Sequence, residues 1–436
     1  MNETNFNPWT IRDTIDNLTE ELEAYPDNAP ILAELGRALT KSGEHQSAID
    51  YFTAAIKLNP YNASFRSGRG IAHAVAGHDG LAIDDFTQAL LIEPENVAVL
   101  SARGFAHRAG DAYQLAIDDF TMAIDFGVDD PEVFYARGKA YWALALAGPG
   151  DPDQEGVKQA LGDISEAILR DPGESERYFT RGVIYSWETD ELDLAIEDLS
   201  VAIDLKLKTD AKSHLVSMYH LRNMVYRTQS QFDLAVEDAT DIMRLLPDES
   251  WPVRCRAITH LEWGKPEQAI EDLNEAIRLG QQGESELLER GRGYAAMGDY
   301  DKAITDYESY LQFDPDDPEI YLRRGIARAA LGNHMSAIED YDLIVGPDSG
   351  DTRQAHLWEA AECYHQLGNS FAALGDYDQA VRGYTSALDL GQYLGQKELV
   401  SVYVMRGGAF RTLGLDAEST SDLASAQRLQ EYKASN

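Results

Sequence analysis

A short phrase of apolar and acidic residues returns along the chain at a near-constant distance. Ala48-Ile49-Asp50, Ala82-Ile83-Asp84-Asp85 and Ala116-Ile117-Asp118-Asp119 stand 34 residues apart, and the phrase comes again as Ala195-Ile196-Glu197-Asp198 and Ala269-Ile270-Glu271-Asp272. Twelve residues before most of these alanines is a glycine, usually after arginine: Gly36, Arg69-Gly70, Arg103-Gly104, Arg137-Gly138, Arg290-Gly291, Arg324-Gly325. Twelve residues after them there is often a proline, as at Pro60, Pro94, Pro172 and Pro247. A period of this size predicts one helical hairpin repeated in tandem. The glycine and small alanines let its two helices approach closely, Phe52, Phe86, Phe120, Tyr307 and Tyr341 fill the space toward the next hairpin, and the proline ends the second helix.

These residues carry a resemblance to the tetratricopeptide repeat family, whose signature is glycine at position 8, alanine at 20, an aromatic or aliphatic residue at 24, alanine at 27 and proline at 32. Gly36, Ala48, Phe52, Ala55 and Pro60 match it in the first repeat. Repeats are placed at 29–62, 63–96, 97–130, 131–174, 175–209, 216–249, 250–283, 284–317, 318–351, 361–394 and 400–433. The resemblance implies an all-α, right-handed α-solenoid of about eleven helix pairs with a concave and a convex face.

Departures from the pattern mark boundaries. Residues 1–28 read as half a repeat, since Ile15, Leu18, Leu22 and Pro26 take the offsets of Ile49, Phe52, Ile56 and Pro60, and they predict a lone capping helix. Repeats one to five occupy 29–209, with an insertion at about 147–157 expected as a loop between helices. Repeats six to nine occupy 210–351; Asn223 and Ala257 stand there for the glycine. Repeats ten and eleven, 352–436, are expected to have lengthened first helices. The last repeat shows no obvious solvating helix, which leaves its outer face open to fraying or to a partner.

Charge narrows the function. Lys and Arg number 37 against 75 Asp and Glu, a formal charge of −38, which disfavours binding to nucleic acid or to acidic membrane surfaces. The two cysteines, Cys255 and Cys363, cannot make a disulfide framework, and no apolar run approaches a membrane span. A cytoplasmic protein, not inserted in a membrane, is expected. Among the histidines, His73 and His107 share one repeat position and read as core or groove residues, and no cluster has the spacing of a metal site. No phosphate-binding loop and no stretch large enough for a catalytic domain lies outside the repeats. No cofactor and no enzymatic activity are expected.

Arginine recurs before the glycine (Arg69, Arg103, Arg137) and aspartate three residues after the alanine (Asp85, Asp119, Asp163). This predicts a structural ladder of ion pairs between adjoining repeats, with Arg103 meeting Asp85 of the preceding one.

The family resemblance further implies that positions 2, 5, 9, 12 and 13 of each first helix line a groove. Basic residues at these positions are Arg37, Lys41, Arg108, Lys139, Arg227, Arg254, Arg292 and Arg411, against Glu132, Glu176, Glu262, Glu319 and Glu362. The groove is thus positive relative to the chain. Phe105, Tyr135, Trp142, Phe179 and Trp187 add an aromatic cluster in repeats three to five, the composition of a peptide hot spot; Trp142 and Trp187 are equally suited to packing against the insertion or the next helix. The Lys and Asn pair by which the family captures chaperone tails is absent, since Asn369 has His365 rather than lysine four residues before it. The expected function is a scaffold or adaptor that holds a partner's peptide segment in the groove, one with acidic groups or a free carboxyl terminus. Alternatives are an assembly factor, or co-chaperone-like protein, turning an acidic convex face to a basic partner, and a peptide-sensing regulator, for which no helix-turn-helix is present.

Overall fold

The computed structural model describes residues 8–208, 214–280, 283–345 and 357–434. Among them are 23 α-helices, one 3-10 turn at Gly391–Tyr393 and no strand. The helices divide between two compact units, Met1–Val225 and Tyr226–Asn436, the division falling inside the helix Leu215–Thr228.

The first unit begins with the helix Pro8–Ala24, whose Ile15, Leu18 and Leu22 pack on the core around Leu32, Leu35 and Phe52. Hairpins follow: Ala29–Ser42 with His45–Leu58, Ala63–Val75 with Asp79–Leu90, Val97–Ala109 with Tyr113–Asp125, Pro131–Leu146 with Gln154–Arg170, and Ser175–Glu188 with Leu192–Leu207. Side chains of Asn28, Asn62, Asn96 and Asp130 cap the first helices by accepting backbone N–H bonds. The first three hairpins turn tightly through a left-handed residue, Gly43, Gly77 and Asp111. The second unit repeats the plan, from Phe232–Leu245 through Ser250–Glu262 with Pro266–Leu279, Glu284–Ala296 with Tyr300–Tyr310, Pro318–Ala330 with His334–Val345 and Leu357–Ala373 with Tyr377–Asp389, to Gln396–Thr412 with Asp416–Ala434. Consecutive helices pack on one another within each unit, an α-solenoid arrangement.

The signature glycine has a direct geometric cause. A Cβ on Gly36 would sit 2.8 Å from the Phe52 ring, one on Gly70 2.7 Å from Phe86, and one on Gly104 2.7 Å from Phe120. Where the glycine is missing, the ring is missing too: Ala239 stands opposite Asn223 and Leu273 opposite Ala257. In these two hairpins a larger first-helix residue faces a smaller second-helix one than in the first three.

The insertion in the fourth repeat forms a loop at residues 147–153 between its helices and also lengthens both of them. The added turns bury Ala145 and Val157, and Asp153 caps the second helix, so helix is the lower-energy way to place these residues. One expectation changes: the last helix supplies its own solvating face, because exposed Thr420, Ala424 and Gln427 take the places that Ile49, Thr53 and Ile56 hold in the first repeat. The first helices of the tenth and eleventh repeats each run 17 residues, longer than most. Most of the extra residues expected before the sixth repeat (210–215) and before the tenth (352–360) lie outside the described residues.

Candidate binding groove

Each first helix is held at a defined angle by the recurrent arginine and aspartate, but not in the register expected. Arg103 does not meet Asp85. It pairs with Asp119 on the second helix of its own repeat, as do Arg69 with Asp85 and Arg137 with Asp163. Arg181–Asp198, Arg256–Asp272, Arg290–Asp306, Arg324–Asp340 and Arg406–Asp422 continue the series, with one bond of each pair at 2.6–2.9 Å. The arginine precedes the glycine that admits the second helix, so its nearest buried acid is within the hairpin. Adjoining repeats are linked instead by the third guanidinium nitrogen, which donates to a hydroxyl one repeat back: Thr53 from Arg69, Thr87 from Arg103, Thr121 from Arg137 and Ser165 from Arg181. These hydroxyls were missed in the sequence. Their signal was present, since Thr53, Thr87 and Thr121 each follow the position-24 aromatic.

With the first helices so fixed, successive ones run closer together in each unit than successive second helices do, which puts them on the inner wall. Groove positions accordingly reach across to the next repeat. The Tyr135 hydroxyl bonds Thr180 at 2.7 Å, the Trp142 indole donates to Glu188 at 3.3 Å, and Arg177 lies 3.8 Å from Glu132.

In the first unit the predicted residues hold different environments. Phe105 stacks edge-on against Phe120, with ring centroids 5.1 Å apart, and belongs to the core as much as to the groove. Tyr135 is buried, and desolvation pushes its hydroxyl up to about 12. Phe179 packs on Leu199 and Leu221, and Trp142 on the cluster that holds Ile184. Trp187 is 62% exposed. Lys139 lies with its ammonium 5.1 Å from the centre of the Tyr135 ring. Arg108 has its Nε buried with no hydrogen-bond partner. Neither Arg108 nor Lys139 has a carboxylate within 4.0 Å among the described residues. Both lie close enough to Glu132 to act on its carboxyl, which desolvation nevertheless raises above its ordinary range.

The second unit differs. Arg227 makes a two-pronged pair with Glu262 at 2.5 and 2.7 Å, Arg254 lies 3.9 Å from Glu286, and Arg292 is 2.9 Å from Glu289. Glu286 and Glu289 are not among the five counted positions, so the positive excess expected there is offset by neighbours.

His107 lies 3.8 Å from Asp119, and desolvation lowers its basicity and that of His73. Among the described residues no group of histidine, cysteine and carboxylate side chains has the geometry of a metal site, and no helix is long and apolar enough to cross a membrane.

Family comparison finds the tetratricopeptide repeat at residues 29–62 and 363–398 and the family described as TPR repeat at 291–332. No curated protein matches the chain. Similar solved structures include YrrB, a TPR protein with an unusual peptide-binding site (23% identity, 44% of this chain and 92% of that one, TM-score 0.37). Yeast Tom70 matches at 14% identity over 94% and 97% of the two chains, TM-score 0.37. PilF of Pseudomonas aeruginosa matches at 16% identity over 55% and 96%, TM-score 0.41.

Proposed function

For a chain that belongs to the tetratricopeptide-repeat family and works through protein–protein contacts, we propose a non-enzymatic cytoplasmic scaffold whose first-unit groove holds a peptide segment of a partner. The segment presents a carboxylate, from an acidic side chain or a free carboxyl terminus, to Arg108 and Lys139, and an apolar group to Trp142 and Trp187. One observation carries this reading: Arg108 keeps a buried nitrogen without an acceptor, while Arg227, at the equivalent position of repeat six, is paired with Glu262. A buried donor without a partner costs free energy that an incoming acceptor restores.

The test is titration of the full chain with a fluorescent Glu/Leu-rich peptide, carboxyl terminus free or amidated. Arg108→Glu with Lys139→Glu is expected to weaken binding by about tenfold or more, and added salt to weaken it further. Unchanged binding by this double variant would sink the reading.

A further inference from the structure

The outer face of repeats two and three is apolar and acidic together, which neither a solvated face nor the groove reading requires. On the second helix of repeat three, Leu115 and Met122 lie seven residues apart on one side, with Phe126 just past its end, and the three are 41–52% exposed. Leu81 holds the place of Leu115 in repeat two and is 52% exposed. Between these apolar groups come Asp84 and Asp118, also exposed, with no basic side chain within 4.0 Å among the described residues. The helices Asp79–Leu90 and Tyr113–Asp125 carry no lysine, arginine or histidine at all. Repeat five returns to the pattern with Leu194 and Val201, both exposed, around Glu197.

Apolar side chains left in water beside uncompensated carboxylates specify the chemistry of what covers them. We infer that the outer face of repeats two and three is a docking surface for a cationic amphipathic helix of a partner protein, its aliphatic stripe on Leu81, Leu115, Met122 and Phe126 and its lysines or arginines on Asp84 and Asp118. A second copy of the chain fits less well, because no second helix of these repeats offers cations to the first. The surface lies on the opposite helices of the hairpins from the groove, so two partners, one acidic and one basic, can be held at once.

The test uses the full chain and two synthetic probes, an amphipathic Leu/Lys helix and a Gly/Lys peptide of equal charge. The Leu/Lys probe binds the native chain at least about tenfold tighter than the Gly/Lys one, since only the former meets the apolar stripe. Leu115→Ser with Met122→Ser, and separately Asp84→Lys with Asp118→Lys, each remove that preference; these exposed changes leave the far-ultraviolet spectrum as it is. Arg108→Glu with Lys139→Glu leaves it intact, so failure here and failure of the groove reading are separate results. Equal binding of both probes, survival of the preference in both outer-face variants, its loss on matched reversals Glu271→Lys with Glu339→Lys in the second unit, or loss of a native dimer in the Leu115→Ser with Met122→Ser variant would each overturn the inference.

Discussion

The inner walls of the two units carry the same kinds of residue and differ in how they are neutralised. In repeats three to five, Arg108 and Lys139 sit among aromatic side chains without a carboxylate partner. In repeats six to eight, Arg227, Arg254 and Arg292 each face a glutamate. On the proposed groove reading, a partner's carboxylate entering the second wall competes with a nearby glutamate, whereas one reaching Arg108 or Lys139 meets no competing carboxylate within 4.0 Å among the described residues, so the registry of neighbouring acids matters more than composition at groove positions.

The largest expected effect tests whether anything but the groove separates the units. Asp119→Ala in the first and Asp306→Ala in the second each leave a partly buried arginine without its acid, and each should cost about 3 kcal/mol or more. Thermal unfolding of the two variants checks this. A large loss in only one unit would mean that the ladder, too, differs between them, and the comparison would no longer isolate the groove.

A smaller effect comes from making the second wall resemble the first. Glu262→Gln with Glu286→Gln frees Arg227 and Arg254, and the Glu/Leu-rich peptide should then gain a second, weaker site, worth about 1 kcal/mol at each freed cation. Calorimetric titration reads the stoichiometry. No new site in this variant would show that aromatic area, not free charge, distinguishes the walls.

The smallest effect is one of pH. Burial works to raise the Asp272 carboxyl, but its bonds to His260 and Arg256 outweigh this and hold it below the usual range. A depressed carboxyl contributes stability that is present above its unfolded value, near 3.9, and is lost as pH falls through its folded one. Asp272→Asn should thus flatten the fall in melting temperature below about pH 4 and leave the shape of the profile above it unchanged.

The hairpins, their glycines and the capping helix Pro8–Ala24 were legible in the sequence because close packing demands a particular volume at a particular spacing. The partner of Arg103 was not. Asp85 and Asp119 hold the same repeat position one period apart, and a period cannot say which copy lies nearer. Glu286 and Glu289 were missed for a related reason: a list of groove positions omits acids one step to the side that long side chains reach. Trp142 was left between two readings, and it packs beside Ile184 while its indole N–H reaches Glu188, so it is partly core and partly wall.

The matching of glycine to ring inside hairpins such as the first three sets how such an array can be rearranged by recombination. A crossover between hairpins, for example between Asp125 and Pro131, passes on every first helix with the second helix that suits it. A crossover in the turn after Ala109 separates them. Joining the helix that bears Asn223 to the one that bears Phe120 would set an amide side chain where a Cβ alone already lies 2.7 Å from the ring. Inheritance in whole hairpins keeps each such glycine with its ring, but the junctions are matched as well, since the Phe52 ring also fills the space that a Cβ on Gly68 of the next hairpin would need.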